Sequence, residues 1–288
     1  MSFKILPPTD DWIFKLLFGD ERNKSLLVNL LKSFVELPQE EYEIIFLDTH
    51  LKPENEGDKL GILDVKVKTK TGKIIDIEIQ VEPMKHIGKR LSFYKSKLIV
   101  EQIGRSELYS VIQRVICICI MSYELFPGVQ EYLNNFQFYN AQNGLLFADL
   151  PEEIYTLELS KVPAQDDGSA VWAWLQFLRS REQEEFDMVA SRNPEIRQAV
   201  ETLYALSADE KVRTEYEARQ KAWRDRISQN EGYFQDGMAV ERKVWQGVVA
   251  DKDAKIADKD AEIADKDAKI ADKDAEIARL RAQLQNNL

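Results

Sequence analysis

Through residues 63–68 the chain alternates apolar and polar side chains, with Leu63, Val65 and Val67 set against Asp64, Lys66 and Lys68. The alternation resumes at Ile75, Ile77, Ile79 and Val81, now set against Asp76, Glu78 and Gln80. A period of two predicts two strands, each with an apolar and a polar face. Thr71-Gly72-Lys73 supplies the turn, since glycine takes a positive φ without steric cost. A two-residue loop would set Asp64 opposite Ile79 and mix the faces. A three-residue loop over 71–73 pairs Lys68 with Asp76, Lys66 with Glu78 and Asp64 with Gln80, so both polar sets share one face. Asp64, Glu78 and Gln80 are thus expected to converge on a half-exposed surface. By pattern alone, the same face is that of an ordinary hairpin meeting water.

Upstream, Thr9-Asp10 caps a predicted helix that runs to Phe18, with Ile13, Phe14, Leu16 and Leu17 on its apolar side and Gly19 as its stop. A second helix over 23–34 carries Leu26, Leu27, Leu30 and Leu31. Residues 42–51 read as a strand and 53–59 as a polar loop. After the hairpin, 86–103 reads as an amphipathic helix with Arg90, Tyr94 and Lys97 on one side at steps of four and three. Residues 109–122 form a continuous apolar strand, as expected at the centre of a sheet. A hairpin over 136–146 turning at Asn143-Gly144 and a strand over 154–159 follow. From 169 to about 226 the spacing is helical; Trp172 and Trp174 read as core residues. Gly232 to Gly237 reads as a break.

Beyond Asp251 the chain repeats DKDAKIA and DKDAEIA, four units of seven. Placing Ile256, Ile263, Ile270 and Ile277 at heptad position a puts Lys259, Lys266 and Lys273 at d, a poor seam. Only Ile277, Leu280 and Leu284 give apolar 3-4 spacing. Alanine and the pairs Asp251–Lys255, Glu262–Lys266 and Asp265–Lys269 favour helix. The expectation is an extended, weakly self-associating helix that carries no chemistry, and so a homo-oligomer through the C-terminal helix. The chain divides on this reading into 1–165, 166–250 and 251–288.

A net charge of −11 excludes a generic nucleic-acid coat, which would need Lys and Arg in excess. Between Asp64 and Arg105, however, eight Lys and two Arg face five acids, so positive charge gathers around the hairpin. With no long apolar run and no apolar leader, the reading is cytoplasmic, with no membrane partner. Cys117 and Cys119 are expected to face opposite sides of a strand and not to bridge. With two His besides, a structural zinc site is not expected.

Neighbouring acids repel unless a divalent cation lies between them, and Mg²⁺ suits a couple of carboxylates completed by water and phosphate oxygens. An Asp, a turn of this length and then Glu78-Ile79-Gln80 on an apolar strand resemble the active-site core of the PD-(D/E)XK nuclease superfamily. More narrowly they resemble its recombination-promoting nuclease and transposase-like branch (Rpn), where Gln commonly stands in place of the motif Lys. Asp11-x-x-Phe14-Lys15 before Leu-Phe-Gly, Arg90 with Tyr94, and Glu158-Leu159-Ser160-Lys161 fit the same branch.

The resemblance implies an α/β fold: a restriction-endonuclease-like core with a mixed sheet flanked by helices, followed by a helical C-terminal region and the heptad-repeat helix. It implies a DNA endonuclease linked to recombination or mobile elements and dependent on Mg²⁺, or Mn²⁺ or Ca²⁺. Asp64 and Glu78 would bind the metal, helped by the Ile79 carbonyl, and Gln80 would orient the attacking water. Asp11 reads either as a third acid ligand or as a first-turn charge on the helix dipole. Lys15 reads as an exposed helix residue as well as a motif position. Arg90, Tyr94 and Lys97 read either as a DNA-binding face or as a solvated basic one. The rival function is a catalytically weak nuclease fold that binds DNA or assembles through its tail.

Overall fold

The computed structural model describes residues 4–51, 61–191 and 193–286, so the polar loop expected over 53–59 lies outside the described residues. The chain forms two compact units, Met1–Tyr216 and Glu217–Leu288. In the first, a six-stranded mixed sheet runs in the order β1-β2-β3-β4-β6-β5. Its strands are β1 (Ile44–Phe46), β2 (Val65–Thr69), β3 (Ile74–Gln80), β4 (Val115–Met121), β5 (Leu133–Phe136) and β6 (Glu152–Glu158). β3, β4 and β6 are parallel, while β1, β2 and β5 join antiparallel. The central β4 is apolar and buried at every position, as its sequence demands, but residues 109–111 form a separate 3-10 turn.

Each face of the sheet is covered by helices. The odd-numbered side of β3 (Ile75, Ile77, Ile79) joins Ile116, Ile118 and Ile120 in the main core. That core is completed by α1 (Asp11–Phe18), α2 (Lys24–Phe34), α4 (Ala170–Arg179), α5 (Gln183–Ala190) and α6 (Pro194–Ala208). Trp172 and Trp174 are buried there, and the Trp172 indole N–H donates to the Pro163 carbonyl at 2.8 Å. The other face is covered by α3 (Ile87–Val100), whose Ile87, Leu91, Tyr94 and Leu98 pack on Val115, Cys117, Cys119 and Met121. Cys117 and Cys119 are free and share this face, because residues two apart on a strand point the same way; the expectation of opposite faces is corrected.

The hairpin forms, but two positions out of the expected register. Lys66 pairs with Asp76, Val65 with Ile77 and Lys68 with Ile74. The Thr69 N–H donates to the Lys73 carbonyl at 2.9 Å and the Gly72 N–H to the Thr69 carbonyl at 3.0 Å, so the three-residue loop spans 70–72, with Gly72 at φ 98°. An even shift keeps the polar residues together and moves Asp64 beside Glu78 instead of Gln80. Nor is the acid-bearing face half-exposed: every residue of β3 is buried between β2, β4 and α3. Gly61 feeds β2 past α3, and a Cβ there would come within 2.9 Å of the Tyr94 ring.

Other boundaries also move. The strand expected over 42–51 is three residues long, and the hairpin expected at 136–146 forms as a short one, with the Asn140 N–H donating to the Leu145 carbonyl, the Phe147 N–H to the Phe138 carbonyl and Gly144 at φ 73° in its turn. The final helix, α7 (Glu210–Asn286), continues through Gly232 and Gly237, correcting the expected break. Each glycine costs a helix about 1 kcal/mol relative to alanine, and the Arg, Lys, Glu, Gln and Ala around them carry that cost. Of the three expected ion pairs in the repeat, Asp251–Lys255 and Asp265–Lys269 form at 2.7 and 2.6 Å. No described helix is long and apolar enough to cross a membrane.

Glu41, buried in the 3-10 turn before β1, fixes the hairpin loop by accepting from Thr71 and Lys73. Burial opposes its charge, but hydrogen bonds from Lys73, Thr69 and Thr71 prevail and hold its carboxyl down at about 2. A lowered folded-state pKa means stability present above the ordinary carboxylate range and lost as pH falls toward 2. Glu41→Gln is therefore expected to lower the melting temperature by a few degrees at pH 7, with the gap closing on titration from about pH 5 to pH 2. An equal gap at all pH values in calorimetry would remove the ionic role.

Candidate active site

Asp64 and Glu78, fourteen positions apart, meet where β2 begins beside β3. The Asp64 N–H donates to Glu78 Oε1 at 3.2 Å, and Asp64 Oδ2 accepts the Ile79 N–H at 2.8 Å. Asp64 is 9% exposed and Glu78 1%. Asp76, on the same face of β3 as Glu78, is fully buried, and its carboxylate has no N–H or O–H partner, only the Cys117 thiol beside it. Burial, then the proximity of Asp64, raises the Asp76 carboxyl to about 8; burial, then Asp76 and Asp64, raises Glu78 to about 9. Asp64 is raised as well, by burial against the opposing pull of Lys15. These acids are crowded and desolvated, the circumstance in which a carboxylate resists ionisation until a cation arrives.

Two cations reach them from opposite layers. Lys15, on α1, places its ammonium 2.9 Å from Asp64 Oδ1 and 3.4 Å from Asp11 Oδ2. Burial would lower the Lys15 pKa, yet the two acids outweigh it and raise it, so the side chain stays charged at neutral pH. Arg90, on α3, sets Nη2 3.3 Å from Glu78 Oε2 and donates through Nε to the Tyr94 hydroxyl at 2.9 Å.

Of the residues singled out from sequence, Asp64, Glu78, Arg90 and Tyr94 come together directly. Gln80 follows on the same face at the end of β3, and 9% of its surface is exposed. Asp11 stays at the exposed first turn of α1 and joins the group only through Lys15. Tyr94 is buried beside Gly61, with the Arg90 guanidinium carbon 5.0 Å from its ring centroid, so that its ring face and its hydroxyl both meet Arg90 and no base can stack on it. Lys97 sits two turns beyond Arg90 on α3. The exposed reading of Lys15 gives way to a half-buried ion pair with Asp64. Asp76 and the exposed Lys85 and Lys89, beside the start of α3, were not singled out individually. The alternation that selected Glu78 selects Asp76 equally, and only the local excess of lysine pointed to the other two.

The donor set fits a hard, hydrated cation. Among the described residues no group of three or more His, Cys, Asp and Glu side chains is arranged to hold a metal. Two oxygen donors with water and phosphate completing the shell suit Mg²⁺ or Mn²⁺.

A mixed six-stranded sheet covered on both faces by helices fits an α/β nuclease-like fold. The family model described as PD-(D/E)XK nuclease family transposase matches residues 8–232, and the chain belongs to that family. Neither the curated proteins nor the solved structures compared with the chain gave a match.

Mn²⁺ is expected to raise the melting temperature of the full chain, and Asp64→Asn or Glu78→Gln to abolish that rise while keeping the native circular dichroism. An undiminished rise in both variants would place the ion elsewhere.

Proposed function

We propose that this protein hydrolyses phosphodiester bonds in DNA as a divalent-metal-dependent endonuclease, serving recombination or mobile-element biology. The convergence of Asp64 and Glu78 in a buried, cross-bonded pair carries the reading. Both would hold Mg²⁺, which when bound supplies Lewis-acid polarisation of a phosphoryl oxygen and acidifies water.

The chain's own groups do the rest. Gln80 is neutral and cannot stabilise developing negative charge, but its amide can orient water beside Glu78. Lys15 provides the charge that Gln80 lacks: it is held at Asp64, stays protonated at neutral pH and enters from the helix layer. Asp11 orients that ammonium. Arg90, braced by Tyr94 and lying 3.3 Å from Glu78, would bind a phosphate beside the metal that Glu78 would hold. Lys85 and Lys89 extend the positive surface outward for the DNA backbone.

A second reading is favoured by the company the acids already keep: Lys15 and Arg90 lie against Asp64 and Glu78. A catalytically silent DNA-binding or assembly module would look the same.

Plasmid nicking with Mg²⁺ or Mn²⁺ separates the two. Asp64→Ala and Glu78→Ala are expected to reduce nicking to background. Lys15→Met is expected to lower the single-turnover rate about 10²-fold, as for loss of one preorganised charge donor, with little change in DNA affinity. Wild-type protein that nicks no faster than the carboxylate variants would leave the module reading standing. In a binding titration, the paired change Lys85→Ala with Lys89→Ala is expected to weaken DNA affinity and flatten the log K against log salt slope by about two units. An unchanged slope would move the backbone contact elsewhere.

A further inference from the structure

Within Glu217–Leu288 the helix leaves a long apolar stripe open. With the repeat isoleucines at a, Val249 also falls at a, while Met238, Trp245 and Leu280 fall at d, with no skip in the heptad. All are substantially exposed, Trp245 at 61% and Ile256 at 57%. Apolar d positions therefore bracket the four lysines Lys252, Lys259, Lys266 and Lys273, which hold d through the repeat.

The charges divide in an informative way. Lys255 and Lys269, at g, are already bonded along the helix to Asp251 and Asp265. Position e is Asp253, Asp260, Asp267 and Asp274, and none of these has a base three or four residues away on its own helix. Among the described residues, neither the d lysines nor the e aspartates make an ion pair within the chain. The e aspartates thus form a row that the helix's own turns cannot satisfy, while the adjacent d lysines, although Glu262 and Glu276 lie three or four residues from three of them, are left unbonded along the helix.

We propose that the occupant of this face is a second copy of the same chain, aligned parallel and in register as a two-stranded coiled coil. In that arrangement position d of one helix lies beside e of its partner. Each d lysine, its stem lying along the isoleucine layers, meets an aspartate of the other chain. The alternative alignments fare worse. An antiparallel pair sets e against e, aspartate facing aspartate at every step with no lysine between them, whereas the d lysines that face one another in the parallel pair each have an aspartate of the partner helix beside them. Trimers and tetramers bury d more completely and would desolvate the lysines, whereas β-branched residues at a favour two strands. The lysine at d, which weakens the seam, also restricts it to this one partner and alignment. The pairing does not depend on the catalytic reading.

Light scattering on the full chain at micromolar concentration should give a dimer mass. Ile256→Cys and Ile277→Cys should each form self-paired disulfides on mild oxidation, because identical a residues face each other; wild type, whose Cys117 and Cys119 are buried, is the control. The pair Lys259→Glu and Lys266→Glu should weaken dimerisation about tenfold, and adding Asp260→Lys with Asp267→Lys should restore it. Circular dichroism confirms that helix is retained. A monomer, a higher oligomer, a dimer without self-paired cross-links, or charge reversal without rescue would each overturn the proposal.

Discussion

Removing a carboxylate from water costs several kcal/mol unless charge or hydrogen bonds replace the lost hydration. This fold buries three on one face of a single hairpin: Asp64, Asp76 and Glu78. Apolar layers on both sides of β3 make that burial possible, since a central parallel strand surrounded by Ile and Val can hold polar residues that an edge strand would leave to solvent. The acids are strained against one another and only partly relieved by Lys15 and Arg90, and such groups mark functional sites more often than structural ones.

Three separate elements build the site, two of which supply the relief. α1 brings Lys15 over the Asp64 side, the hairpin brings both acids, and α3 brings Arg90 and Tyr94 across the opposite face. The supports are local and checkable. Asp10 caps α1 through the backbone N–H groups of Trp12 and Ile13, Glu41 pins the hairpin loop, and Gly61 lets the chain pass beneath Tyr94. A site built from regular elements is held more precisely than one assembled from loops.

Much of this was legible in sequence because it rests on periodicity. The cap at Asp10, the buried run of β4 and the shared face of Asp64 and Glu78 follow from spacing and need no long-range information. Register was not legible at the level of two residues, since a shift of two preserves every face and only the hydrogen bonds of Thr69 and Gly72 select it. Burial of the acids was missed because it depends on α3 covering them, a tertiary fact. The Lys15–Asp64 pair lies beyond any local rule: the residues are far apart in sequence, and nothing in either segment names the other. Glycines 232 and 237 misled in the other direction, because propensity is a weak prior against a long run of good helix formers.

The substitution that casts most doubt on catalysis, Gln80 for lysine, looks different once position is separated from sequence. What phosphoryl chemistry requires is a positive charge near the reacting oxygens, whichever strand or helix carries it. Lys15 holds its charge because Asp64 and Asp11 outweigh its burial, and it approaches Asp64 from a helix, leaving the end of β3 to a neutral amide. On the proposed reading, the neutral Gln80 amide and the charged Lys15 divide between strand and helix what a single lysine on the strand would supply.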